Sequence, residues 1–439
     1  MFKTLVGAFK NKDIRKKILY TLMILVIVRV GSLLPIPGVD TEYFSSLLSG
    51  INTGDLSYLS AFTGGSFERM SLFALSITPY ITSSIIMQLL AIAIPKLEEM
   101  QKEGEDGRKK IAAITRYVTI ALALIESIAM AVGFGRSGLI KGYQGFSTLH
   151  YIVSIIVVVA ALTAGSAMLM WLGERITENG VGNGISIVLL INIISGMPSD
   201  FATLYSTFVA PRTIAKGVLA AAIIIAILVV MVVLVCFLQD GERRIPVQYS
   251  QKVSGRKTFG GQSTNIPLKV NTAGVMPVIF ASSLMQFPVI IAQLFGKSYE
   301  WTRYLSSSYW CRISAPKYSI GLILYIVLLI IFAYFYTSIT FNPIEVADNL
   351  KKAGGVIPGI TPGKSTSDYL NNILNYIVFV GAVGLLIIAL IPIMCTGFFN
   401  ASVSFGGTSV IIIVGVVLET LKQIESQMVN RYYKGFLSE

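Results

Sequence analysis

Two ionisable residues stand inside otherwise apolar stretches: Arg29 in KKILYTLMILVIVRVGSLLP (16–35) and Glu126 in VTIALALIESIAM (118–130). A charge at such a position is costly in a bilayer and usually faces protein or a watery cavity. Arg29, late in its stretch, could instead snorkel to an interface, and Arg29 and Glu126 could pair. Two isolated charges fit poorly with a proton- or sodium-coupled pump, whose coupling groups sit near the midplane. His150 is the only histidine, so neither a zinc-protease site nor a Ser-His-Asp triad can be assembled. The three cysteines, Cys236, Cys311 and Cys395, are far apart and lack metal-ligand spacing. A Cys311–Cys395 disulfide is conceivable, and unpaired thiols are the plainer reading. The stretch PGITPGKS (358–365) mimics a phosphate-binding loop but has Pro358 where that loop needs glycine. It also lacks the flanking buried strand and helix. No enzyme chemistry, cofactor or metal is expected.

The elements that would position such residues are membrane spans. Of 439 residues, 54% are hydrophobic and only 13% charged, with mean hydropathy +0.71, whereas a soluble domain carries about 25% charged residues. Apolar runs of roughly the 20 residues that cross a bilayer recur ten times, near 18–35, 70–94, 113–134, 149–171, 184–203, 216–238, 272–294, 318–340, 372–392 and 408–424. The first run exceeds the ~7–15 residues of a signal-peptide core and leads into LLPIPG rather than a small-residue cleavage site. It reads as a retained helix.

With the N-terminus inside, 25 of the 35 Lys and Arg residues fall in inner segments, nine in outer loops, and Arg29 in a span. This bias places both termini in the cytoplasm. The net charge of +12 is then largely a property of the cytoplasmic face. It could serve topology, anionic lipid, RNA or an acidic protein surface.

Ten spans suggest two inverted halves of five, residues 1–210 and 211–439, each with a proline-punctuated second span: Pro79 in one, Pro277 and Pro288 in the other. Inverted repeats with broken helices are common in transporters. Ahead of the second span, LSYLSAFTGGSFERM (56–70) is too polar to cross a bilayer yet carries Leu56, Tyr58, Leu59, Phe62 and Phe67. Such backbone survives at membrane depth only inside protein or along a cavity, which points to a vestibule in a channel or transporter. The charge-rich run 95–111 reads as a solvated, mobile connector. Residues 239–270 read as a basic hairpin around a Gly-rich turn, and 341–371 as a second basic protrusion. Both are long for connectors, so they are expected to dock a partner. Isoleucine is abundant at span centres; lipid contact or packing explains it by composition, and a dewetting pore ring is the alternative.

The polar and apolar motifs together resemble the SecY family, channel subunits of the Sec protein translocon. The resemblance runs along the whole chain in order: Arg29-Val-Gly31 with Pro35-Ile-Pro37-Gly38; GGSFERMSLFALSITPYITSSIIMQLL (64–90); WLGERITENGVGNGISI (171–187); ERRIPVQYSQK (242–252) with NIPLKVNTAGVMPVIFASSLMQFP (265–288); NPIEVADNLKKAGGVIPGITPG (342–363); and GGTSVIIIVG (406–415).

The resemblance implies an all-α polytopic membrane protein: ten transmembrane helices in two pseudo-symmetric halves, with a plug near 55–67 and two long cytoplasmic loops. It implies a protein-conducting channel that passes unfolded secretory polypeptides and releases transmembrane segments sideways, not an enzyme. The alternative without it is an inverted-repeat transporter of a small solute. The family's pore ring would fall on Ile81, Ile85, Leu189, Ile193, Ile279 and Ile412. Its plug would include Leu56, Tyr58, Leu59, Phe62, Gly64, Gly65 and Phe67. Gln88, Ser282 and Ser283 are gate candidates between spans 2–3 and 7–8. Arg243, Arg244, Lys252, Arg256, Lys257, Lys351, Lys352 and Lys364 would dock a motor or ribosome. Implied partners are the small subunits SecE and SecG, the SecA motor ATPase, the ribosome, signal sequences, nascent polypeptides and anionic lipids. The chain departs from the family pattern IPGIRPG at Thr361, which puts the strength of docking in question rather than the architecture. The implied location is the cell membrane, multi-pass.

Overall fold

A computed structural model describes residues 9–42, 63–134, 148–211, 214–249, 252–254, 257–259, 263–294, 300–306, 309–311, 316–399 and 407–435, with Gly7 and Phe44. Each of the ten apolar runs includes a helix, though the helix does not always span the whole run. In chain order the helices are α1 (Lys12–Leu33), α2 (Thr78–Ala93), the short α3 (Pro95–Lys102), α4 (Glu105–Phe134), α5 (Thr148–Asn179), α6 (Gly184–Leu204), α7 (Ile214–Asp240), α8 (Met276–Leu294), the short α9 (Glu300–Leu305), α10 (Ile320–Thr340), α11 (Pro343–Lys352), α12 (Lys364–Phe399) and α13 (Gly407–Gly435). Six, namely α4, α5, α6, α7, α10 and α12, are long and apolar enough to cross a bilayer alone. The chain is thus a mostly helical polytopic membrane protein, as the expected all-α class requires of its spans, with its strands confined to the polar loops. Helix α7 is apolar on all sides and exposes Val218, Ile223, Val229 and Phe237, as lipid contact requires.

The second apolar run is helical only from Thr78, later than its apolar start suggested. Residues 64–77 form turns instead, with Met70 and Ser76 in the left-handed region at φ 42° and 53°. Pro79 then occupies the first turn of α2, where its missing N–H costs nothing. The turns are stitched to the chain leaving α1: Ile36 N donates to Met70 O at 3.1 Å and Leu72 N to Leu34 O at 2.9 Å. At its other end α2 breaks into α3 across a 106° bend.

Residues 95–111, expected as a mobile connector, are helical. Glu, Lys, Met and Gln are strong helix formers, and Pro95 opens α3. Gly104, at φ 83°, turns the chain into α4.

Of the two polar loops, the first folds as expected and the second does not. Residues 239–270 do form a hairpin: β1 (Glu242–Tyr249) pairs antiparallel with β4 (Ser263–Lys269), from Glu242↔Lys269 to Gln248↔Ser263. The short strands β2 (Lys252–Ser254) and β3 (Lys257–Phe259) pair beyond it. The 341–371 segment is no separate protrusion. It folds as α11 and β5 (Gly355–Val356), and β5 joins the far edge of β1 to give the order β4-β1-β5. Alternation along β1 buries Ile245 and Val247 and exposes their neighbours. Together with Leu268, Leu350, Ile357 and Leu370 they form one small core.

Candidate functional site

The six ring candidates lie on four helices. Ile81 and Ile85 lie one turn apart on α2, Leu189 and Ile193 on α6, Ile279 on α8 and Ile412 on α13. All belong to one contiguous apolar cluster. Leu189, Ile193, Ile279 and Ile412 are buried, while Ile81 and Ile85 are half-buried. Branched aliphatic side chains present nothing for water or ions to bond.

Local sequence sets the register of these helices. Asn183 caps α6, its side chain accepting from Ile185 N at 3.1 Å and Ser186 N at 3.5 Å. Gly184 presses the start of α6 onto α5: a Cβ there would lie 1.9 Å from the Gly173 carbonyl oxygen.

Of the plug candidates, Gly64, Gly65 and Phe67 are placed; Leu56, Tyr58, Leu59 and Phe62 lie outside the described residues. Gly64 and Gly65 both have positive φ, 61° and 79°, which glycine adopts without strain. Phe67 is buried with Met70, Leu75, Ala123 and Val158 in a cluster separate from the ring residues. It also meets Phe44 edge-on at 5.8 Å.

Arg29 does not pair with Glu126. Its guanidinium instead donates to Ser195 Oγ at 2.8 Å and reaches the Gly64 carbonyl at 3.5 Å. The intramembrane charge therefore points into the protein rather than snorkelling.

The gate candidates occupy neighbouring helices without bonding to one another among the described residues. Helix α8 packs against α10 and α4, and α2 against α4. Ser282 is buried and donates to the Val278 carbonyl at 2.8 Å; it also hydrogen-bonds Tyr325. Ser283, beside it, is half-buried. Gln88 Nε2 reaches Ser84 Oγ at 3.5 Å, and Gln88 Oε1 is buried with no partner among the described residues.

The basic candidates gather on the sheet unit. Arg243 and Arg244 are exposed on β1, Lys351 and Lys352 in the last turn of α11, and Lys364 at the start of α12. Arg244 is engaged with Glu242, at 2.6 Å and 2.7 Å from its two nitrogens. Lys252 and Lys257 lie on β2 and β3, and Arg256 is outside the described residues. Thr361 is exposed, and its carbonyl accepts from Thr366 Oγ1 at 3.0 Å. Cys236, Cys311 and Cys395 are all free thiols.

Sequence reasoning passed over a buried polar seam beside the ring. Asn192 Nδ2 donates to Ser76 Oγ at 3.1 Å, and Ser195 Oγ donates to the Asn192 carbonyl at 2.7 Å. The available signal was an asparagine in the apolar stretch VLLINII (188–194), since polar groups inside spans usually meet partners there.

Comparison with known proteins agrees along the whole chain. The SecY family model matches residues 71–421. The protein translocase subunit SecY of Streptomyces galbus is 44% identical over 446 residues, covering 100% of both chains. That of Bacillus subtilis (strain 168) is 42% identical over 445 residues, again covering 100% of both. Among solved structures, a SecY chain studied for how its plug domain stabilises the closed channel aligns with TM-score 0.63 at 19% identity, over 94% of this chain and 92% of that one. A chain from Sec61 in the canine ribosome-channel complex aligns with TM-score 0.60 at 18% identity over the same shares. The likeness to these two structures is one of fold.

Proposed function

The chain belongs to the SecY family, and on that premise we propose that this protein translocase subunit forms the channel itself. Unfolded secretory polypeptides pass through it, and apolar segments leave sideways into lipid. The observation that supports the reading is that Leu189, Ile193, Ile279 and Ile412, from three helices, share one apolar core against which Ile81 and Ile85 of a fourth helix pack. At rest such side chains close on one another and exclude ions. Around an extended chain they part and act as a gasket without offering it specific bonds, which suits a conduit for many sequences.

In this reading residues 1–210 and 211–439 are the two halves, and the segment near 55–67 is the plug. Sideways release occurs between α2–α4 and α8–α10, with Gln88, Ser282 and Ser283 among the polar gate groups. An apolar segment leaves for lipid because its side chains gain by quitting water, and a polar one stays. The channel performs no catalysis and needs no cofactor. Its driving force comes from a motor such as SecA or from a translating ribosome, docked on Arg243, Arg244, Lys252, Arg256, Lys257, Lys351, Lys352 and Lys364. SecE and SecG are its small membrane partners, and anionic lipids contact the basic face. The excess of Lys and Arg in inner segments supports a cell-membrane location with both termini cytoplasmic.

Crosslinking tests the reading. Cysteines are placed at Ile85 and Ile279 after Cys236, Cys311 and Cys395 are replaced, and a stalled secretory precursor is engaged in membrane vesicles. Adducts at both positions are expected. An engaged precursor that crosslinks at neither would move the path elsewhere.

A further inference from the structure

One turn of α6 grips the 63–77 segment at both ends. At the far end, Ser195 Oγ accepts from Arg29, whose guanidinium also faces the Gly64 carbonyl at 3.5 Å. At the near end, Asn192 Nδ2 holds Ser76 Oγ at 3.1 Å, just before α2 begins. Ser195 uses its own proton on the Asn192 carbonyl at 2.7 Å, so its hydroxyl both donates and accepts. The ring candidate Ile193 lies between the two gripping residues. Asn192 is 2% exposed and Ser76 1%, so these bonds work away from water, where losing one partner is costly.

Contact at Gly64 is close enough to exclude a side chain. A Cβ there would stand 2.6 Å from Ser195 Oγ and 2.8 Å from the Asn192 carbonyl oxygen, in a left-handed backbone at φ 61°. Asn192 Oδ1 is buried and accepts nothing among the described residues.

We propose that Arg29, Ser195 and Asn192 form a polar latch that fixes the 63–77 segment against the ring helix α6, so that the resting seal depends on this network as well as on the aliphatic ring. The latch rests on the channel reading above. Arg29 is a positioning residue here: it supplies charge-assisted bonds that hold backbone in place. Release of Gly64 frees the segment to move while Ile193 stays packed.

The test uses membrane vesicles bearing the full-length chain with its small membrane partners, supplied with the motor ATPase and ATP, and has two readouts: resting iodide flux and passage of a secretory precursor. Arg29→Gln and Ser195→Ala should each raise resting flux on the order of tenfold, the factor expected when a charge-assisted hydrogen bond is lost. The double variant should leak no more than the leakier single, because both changes cut one link. Arg29→Lys should recover part of the seal. Gly64→Ala should leak although every ring residue is intact. Wild-type flux from Ser195→Ala, in a chain recovered from membranes at normal amount, would overturn the latch, even should Arg29→Gln fail to accumulate. Multiplicative leakage in the double variant would overturn it too. If the wild-type chain passes no precursor, it is the channel reading that fails.

Discussion

Gln248 on β1 pairs with Val356 on β5, and that contact joins two polar loops separated in sequence by two spans, α8 and α10. The neighbouring pair, Tyr249 with Gly355, closes tightly: a Cβ on Gly355 would stand 3.0 Å from Tyr249 Cε1 and 3.2 Å from Val247 Cγ1. Arg243 and Arg244 of one loop and Lys351 and Lys352 of the other are therefore carried on one folded unit. On the proposed docking role, a partner would meet a unit whose spacing is set by a core, which lowers the ordering cost compared with two loose loops.

That core gives the first prediction. Leu370 is fully buried beneath the sheet, and Leu370→Ala should cost about 2–5 kcal/mol of the unit's local stability. Trypsin should then cut near Lys252 and Lys257 faster than in the parent chain. Equal cleavage rates would show that the sheet stands without this support.

The ring supplies the second. Replacing Ile81, Ile85, Ile279 and Ile412 together by Ser should wet the constriction and raise resting ion conductance in planar bilayers. Conductance that stays at the parent level would remove these four from the seal.

Charge on the sheet unit gives the third. Arg244 is already held by Glu242 at 2.6 Å, which leaves Arg243 as the freer positive group of the β1 pair. Arg243→Glu should weaken transport more than Arg244→Gln does, and the parent's docking should weaken as salt rises from ~0.05 to ~0.3 M, because exposed charges are screened. Transport assays across a salt series would show it; salt-independent docking would exclude an electrostatic contact.

The fourth concerns the contact between α1 and the turns before α2. A Cβ on Gly31 would lie 2.1 Å from Phe73 Cε2, and Phe73 is buried. Gly31→Ala should therefore cost about 1–3 kcal/mol through overpacking, read as a lower Tm in detergent. Adding Phe73→Leu should recover part of the loss. A Tm unchanged by Gly31→Ala would mean that α1 can shift away freely.

Much of the fold was legible because each span must satisfy its own backbone and present apolar side chains. That constraint writes itself locally, so each of the ten runs includes a helix. Helix starts were legible where a local residue sets them, as with Asn183 ahead of α6. The start of α2 was not, because residues 70–77 are as apolar as a helix; what keeps them in turns includes backbone bonds from Leu34 and Ile36, distant in sequence. Residues 95–111 misled in the other direction. Their charge suggested a mobile connector, yet Glu, Lys and Met at these positions make a helix.

The candidate site divides in the same way. Ring residues could be nominated helix by helix through resemblance, but isoleucine facing a pore and isoleucine facing lipid obey the same periodicity. Arg29 could be flagged as an expensive charge, while its partner could not be named: Glu126 was the electrostatic choice, and Ser195 holds the place.

By itself, the sequence determined which stretches are apolar enough to form membrane helices and where the basic residues concentrate along the chain, because hydropathy and charge act without regard to neighbours. Only the tertiary structure decided that β5 completes the sheet begun by β1, and that one turn of α6 holds Gly64 through Arg29 and Ser76 through Asn192. Hydrogen bonds and strand pairs depend on distances of a few ångströms between residues far apart along the chain, and those distances exist only once the helices have packed.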